Sequence, residues 1–175
     1  MIEISEEIIV EKDPAEVWDL LTNISNWGRW TRVMKHSAVY GPLTPGTAFK
    51  CIAGKWDFEG KIGILEFGKS IDFEAKSIGL KIAMRWEFSS CSKGTKVAVE
   101  AVIEGWIPRF FARRVQTAVR DSIFTWLYSL KTTAERGNIQ SGKTAKTTLS
   151  QSTNRRKIQI TGPLSFLFKP KDSDE

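Results

Sequence analysis

Between residues 56 and 104 the sequence alternates apolar and polar side chains through four successive runs, and nothing else in it restricts the fold so tightly. KWDFEGKIGIL sets Trp56, Phe58, Gly60, Ile62 and Ile64 against Asp57, Glu59 and Lys61. SIDFEAKS sets Ile71, Phe73 and Ala75 against Asp72, Glu74 and Lys76. LKIAMRWEFS places Leu80, Ile82, Met84, Trp86 and Phe88 opposite Lys81, Arg85 and Glu87, and TKVAVEAVIEG places Val97, Val99, Ala101 and Ile103 opposite Glu100 and Glu104. A period of two puts each set on one face of a strand. Gly54, Gly68, Gly79 and SKGT at 92–95 punctuate the runs, which predicts antiparallel pairing of consecutive strands. One face of the resulting sheet is apolar, the other charged.

An apolar sheet face has to be covered. The one long helix available begins at Pro108 and runs to about Arg136, with Phe111, Val115, Ala118, Val119, Ser122, Ile123, Trp126 and Leu130 at helical spacing along one side. Upstream, residues 2–11 read as a strand. DPAEVWDLL then supplies Asp13 as N-cap, Pro14 at the first helical position and Val17, Leu20 and Leu21 on one face. NISNWGRWTRVM gives a second short helical piece that turns near Gly28. The expected architecture is α+β: a strand, two short helices, a curved antiparallel sheet and a long C-terminal helix gripped by it. The inward residues could form a solid core, or, because one helix covers several long curved strands poorly, enclose a cavity.

With 175 residues, 41% of them hydrophobic and 26% charged, the chain can bury one substantial core. The patterned part spans 1–136, and 137–175 read as a basic, disordered tail with a short apolar segment near 158–168. Seven basic and three acidic residues fall in that tail, against 19 and 17 before it. Its opening, GNIQSGKT at 137–144, fits the spacing of a phosphate-binding loop, but it follows a helix instead of a buried strand, and no apolar helix follows it. We read the match as chance within a polar linker. Two cysteines, Cys51 and Cys91, and the single His36 supply no zinc spacing and no His-based triad, and nothing calls for another cofactor. The acidic N-terminal stretch is no secretory signal, and no apolar run approaches the roughly 20 residues of a membrane span. Together these point to the reducing cytoplasm. Nucleic acid is disfavoured, since the tryptophans lie on apolar periodic faces and not among the tail's lysines.

KDPAEVWDLLTNISNWGRW carries a P-x-x-V-W-x-L-L helix start at Pro14, Val17, Trp18, Leu20 and Leu21 and a W-x-x-W pair at Trp27 and Trp30. GPLTPGTAFK carries a G-x-L-x-P-G-T turn at Gly41, Leu43, Pro45, Gly46 and Thr47. With the order of elements, these make residues 2–135 resemble the START-related superfamily of polyketide cyclases and aromatases, lipid-transfer domains and plant hormone receptors. The resemblance implies a helix-grip fold with a cavity for a hydrophobic ligand between sheet and helix. It leaves function open among a carrier of a lipid, isoprenoid or polyketide-like molecule, a cyclase or aromatase, and a protein-interaction module like the chaperone co-regulators of that superfamily.

On this reading Trp56, Phe58, Ile62, Phe73, Met84, Trp86, Phe88, Val99, Phe111, Val115, Val119 and Trp126 are the candidate ligand contacts. Glu6 falls in phase with Ile4, Ile8 and Val10, so its carboxylate could face inward and orient a ligand hydroxyl or act as general base, unless a bulge at Glu6-Glu7 turns it to solvent. Tyr40 could offer its hydroxyl from the edge of the Gly41–Thr47 turn, which in hormone receptors acts as a gate and is stiffened here by Pro42 and Pro45. His36 is either a surface residue or a proton donor at the pocket rim. Arg109, Arg113, Gln116 and Arg120, with Arg114 nearby, make a basic helix face that is either simply solvated or a contact for anionic lipid headgroups. The apolar tail segment could dock on its own domain, on a partner or on a membrane surface.

Overall fold

A computed structural model describes residues 1–137. Seven strands form one antiparallel sheet: β1 (Ile2–Val10), β2 (Met34–Val39), β3 (Ala48–Ala53), β4 (Trp56–Glu66), β5 (Ser70–Ser77), β6 (Leu80–Cys91) and β7 (Gly94–Glu104). Their order is β1-β7-β6-β5-β4-β3-β2, so every neighbouring pair except β1–β7 is joined by a connection in sequence. Between β1 and β2 lie α1 (Pro14–Thr22), a 3-10 turn (Ile24–Asn26) and α2 (Trp27–Trp30). After β7 come α3 (Trp106–Phe110) and α4 (Ala112–Arg136). The GNIQSGKT stretch beyond Gly137 and the apolar segment at 158–168 lie outside the described residues.

The alternation read from sequence is the pleat itself. Ile71, Phe73 and Ala75 of β5 are buried, as are Val97, Val99, Ala101 and Ile103 of β7, while the intervening charges form cross-strand pairs on the outer face, such as Lys50–Glu59 at 2.8 Å and Lys61–Glu74 at 3.3 Å. In β4 the phase slips. A register shift between Ile62 and Leu65 sends Ile64 out to solvent and turns Leu65 toward the core, correcting the uninterrupted alternation expected there.

Two further expectations change. Asp13 takes the extended N-cap conformation, but its side chain makes no capping hydrogen bond; Pro14 in the first turn, which lacks an N–H, leaves one fewer unpaired donor at this helix start. The long helix does not run unbroken from Pro108. Phe111, at φ −126° and ψ 38°, separates α3 from α4, although its N–H still donates to the Ile107 carbonyl and its own carbonyl accepts from Val115 N–H. α3 therefore rests on β6 and β7, whereas α4 packs on β1.

α4 packs chiefly on β1, with α1 at its side. Its last turns are tied there by polar contacts: Lys131 Nζ donates to the Ile9 carbonyl at 2.6 Å and to Glu135 Oε1 at 2.7 Å, and Glu11 N–H donates to the same carboxylate oxygen at 2.9 Å. Beneath this end Ile123, Trp126, Leu127 and Leu130 are buried against the core. Among the described residues no helix is long and apolar enough to cross a membrane.

Candidate ligand-binding pocket

Because α4 leans on the β1 side of the sheet, its first half stands away from β3–β6. The gap is a pocket of ≈ 340 Å³. Trp27, Phe49 and Trp126 belong to its lining and also to one aromatic cluster: Trp27 meets Trp126 at 4.9 Å between ring centroids, Phe49 at 5.8 Å and Phe73 at 5.3 Å, all edge to face. Such pairs add stiffness to that wall, each contributing about 0.5–1.5 kcal/mol beyond area burial. Cys51, Ala53, Trp56 and Phe58 line it from β3 and β4, and Ala75, Leu80, Ile82 and Met84 from β5 and β6. The helix contributes Val115, Ala118, Val119, Ser122 and Ile123. Of the lining residues only Phe111 and Arg114 are themselves largely exposed, so the mouth lies at the start of α4, next to Ile107.

The polar groups here are few and mostly committed. Ser122 Oγ donates to the Ala118 carbonyl at 2.8 Å, and Trp27 Nε1 to the Leu21 carbonyl at 2.6 Å. Burial, helped by the charge of Asp57, pushes the Cys51 thiol up to about 12, so it is a protonated apolar wall residue and not a thiolate nucleophile. Trp126 Nε1 is buried without a hydrogen-bond acceptor among the described residues, its ring held edge-on between Trp27 and Trp86. Among the described residues Arg114 is the one charged side chain lining the pocket, and no Asp, Glu or His stands beside it there. The arrangement can bury an apolar body, and among the described residues its lining holds no carboxylate or imidazole for proton transfer.

Seven of the twelve residues expected to contact ligand line the pocket: Trp56, Phe58, Met84, Phe111, Val115, Val119 and Trp126. The other five point inward but belong to solid core. Phe73 and Trp86 lie behind the aromatic wall, packed on Trp27 and Trp126. Phe88 is taken up by Trp18 of α1 at 5.5 Å, and Ile62 and Val99 are 1% and 0% exposed. Pattern reading missed Trp27, Phe49 and Cys51, among others; the alternation of Phe49, Cys51 and Ala53 in β3 was the available signal.

The two candidate acid-base residues are elsewhere. Glu6 does face inward, since β1 pairs with β7 without a bulge, but it meets Arg120 of α4 at 3.1 Å and is not in the pocket lining. Tyr40 is 61% exposed, away from the pocket, and His36 is exposed on β2. The turn at 41–47 is pinned: Thr47 Oγ1 donates to the Pro42 carbonyl at 2.7 Å, and Gly46 N–H to the Ile62 carbonyl at 2.7 Å. None of its residues lines the pocket.

No protein-family model and no curated protein matches this sequence. The fold, in contrast, has many solved counterparts. The chain is similar to a START superfamily protein from Mycobacterium smegmatis, with a TM-score of 0.68 at 11% identity over 77% of this chain and 97% of that one. It is similar to a hypothetical protein, jhp0584, from Helicobacter pylori, with a TM-score of 0.67 at 15% identity over 76% and 88%. It also resembles the di-domain ARO/CYC BexL of the BE-7585A biosynthetic pathway, with a TM-score of 0.64 at 14% identity, 77% of this chain matching 50% of that one. At such identities the likeness establishes the fold: a START-like helix grip, with a curved antiparallel sheet around a long C-terminal helix.

Proposed function

We propose that this START-like chain binds a hydrophobic small molecule, of lipid, isoprenoid or polyketide-like character, between sheet and helix and carries it unchanged. One observation carries the reading: a pocket of ≈ 340 Å³ whose lining is apolar apart from Arg114, Ser122 and the protonated Cys51 thiol. Its volume falls within the about 300–1,000 Å³ usual for small-molecule sites. Binding would draw on apolar burial, each 100 Å² removed from water contributing about 2.5 kcal/mol before the entropic cost of association.

Likeness to polyketide cyclases supports a second reading, in which the same pocket folds a reactive chain. The absence of Glu6 and Tyr40 from the lining weighs against proton transfer by either of them. The carrier reading is tested by native mass spectrometry of the protein from its own source, with solvent extraction of any adduct, in parallel with Val119→Trp. We expect a stoichiometric apolar adduct on the natural protein and none on the variant, whose indole fills the space. A natural protein free of adduct, and unchanged by a broad lipid and polyketide panel, would sink the proposal. Loss of water or ring closure in an added precursor would favour the cyclase.

A further inference from the structure

The lip of the pocket carries four large apolar side chains in solvent: Ile78 is 82% exposed, Phe110 73%, Trp106 56% and Phe111 51%. One junction brings them together. Ile107 N–H donates to the Gly79 carbonyl at 3.2 Å, and the Trp106 indole lies so close over Gly79 that a side chain there would run into it. The β5–β6 turn, with Ile78 at its tip, is thereby joined to α3, and Phe111 continues the patch into the pocket mouth. Monomer surfaces seldom gather bulky apolar groups in this way without a partner.

Charge identifies the partner. From Gly105 to Arg120 the chain holds four arginines and no acidic residue. Arg120 is engaged by Glu6, but Arg109, Arg113 and Arg114 are exposed and have no ion-pair partner among the described residues. Glu104 borders the patch on one side, but the unpaired charges on α3 and the first turn of α4 are the three arginines, and an aromatic patch flanked by them matches a surface with apolar depth under a negative skin.

We propose that this lip docks on an anionic lipid bilayer, with Ile78, Trp106 and Phe110 entering the headgroup region and the arginines meeting lipid phosphates. The mouth then faces the membrane, and the ligand passes between bilayer and pocket without crossing water. This rests on the pocket being a hydrophobic-ligand site.

The test is flotation of the full chain with vesicles of phosphatidylcholine alone or mixed with phosphatidylserine. It runs beside a titration of the pocket with a fluorescent apolar probe in vesicle-free buffer. The chain should float with the anionic vesicles and not with the neutral ones. Arg109→Gln with Arg113→Gln should weaken that partition about 25-fold, roughly fivefold for each charge removed. Ile78→Ser with Phe110→Ser should weaken it at least about tenfold. None of these four residues lines the pocket, so both variants should bind the probe as the parent does. Probe binding without flotation overturns the docking proposal and leaves the pocket reading intact. Flotation that neither variant reduces assigns membrane contact to the basic tail and overturns it equally. Flotation that both variants reduce, in a chain that takes up no probe, supports docking and defeats the pocket reading and the transfer built on it.

Discussion

Cys51 illustrates how far a residue's chemistry is set by position. Its thiol titrates near 9 in an unfolded chain and at about 12 in the pocket wall, where burial disfavours the charged form. At mild alkaline pH this lowers its thiolate fraction by roughly a thousandfold relative to a free thiol. A thiol-reactive dye should label exposed Cys91 in the native protein and reach Cys51 only after unfolding. The same shift fixes the sign of a pH effect. Below pH 9 both states keep the proton; between 9 and 12 the unfolded chain loses it first, so stability falls as pH rises. From pH 8 to pH 10 urea unfolding should show the natural protein losing roughly 1 kcal/mol more than Cys51→Ala. Glu6 shows what one position does not disclose. Its inward phase is legible in a single strand, but its partner Arg120 comes from the far end of the domain, and only the folded chain brings the two together.

Among the elements, β4 carries a tight packing constraint. Gly60 lies opposite Phe49 in the register, and a side chain on it would collide with the Phe49 ring and the Glu74 carbonyl. Gly60→Ala should cost about 1–3 kcal/mol, seen as a lower urea midpoint at unchanged slope. The faces of the strands were legible in the sequence because alternation reports inward and outward. Which inward residues meet the pocket was not, because that depends on where a helix of residues 112–136 stands. It packs against β1, so that Trp56, Phe58 and Met84 line the pocket while Val99 is buried in the core. The phase slip at Gly63 and the break at Phe111 were equally hidden. Each is a local backbone departure inside a run whose composition continues smoothly across it.

At the scale of the whole molecule, the sheet, helices and core described above lie within residues 1–137, and the resemblance noted in the sequence covers residues 2–135. A chain ending at Gly137 should therefore keep its cooperative melt, with a midpoint within about 3 °C of the full chain by circular dichroism. A larger drop would mean that the segment after 137 contributes to the core.

The strand order has one more consequence, for how the molecule is made. Six neighbouring strands pair with the strand just before or after them, so β2 to β7 can close turn by turn as they appear. β1 is different: Ile2 pairs with Ile103 and Val10 with Thr95. A ribosome releases β1 before every other strand of the sheet and its partner β7 after all of them, about a hundred residues later. During that interval an apolar strand edged with glutamates waits for its place, and the charges of Glu3, Glu6 and Glu7 help to keep it from pairing with another nascent chain. The charges of β1 thus act before the fold exists.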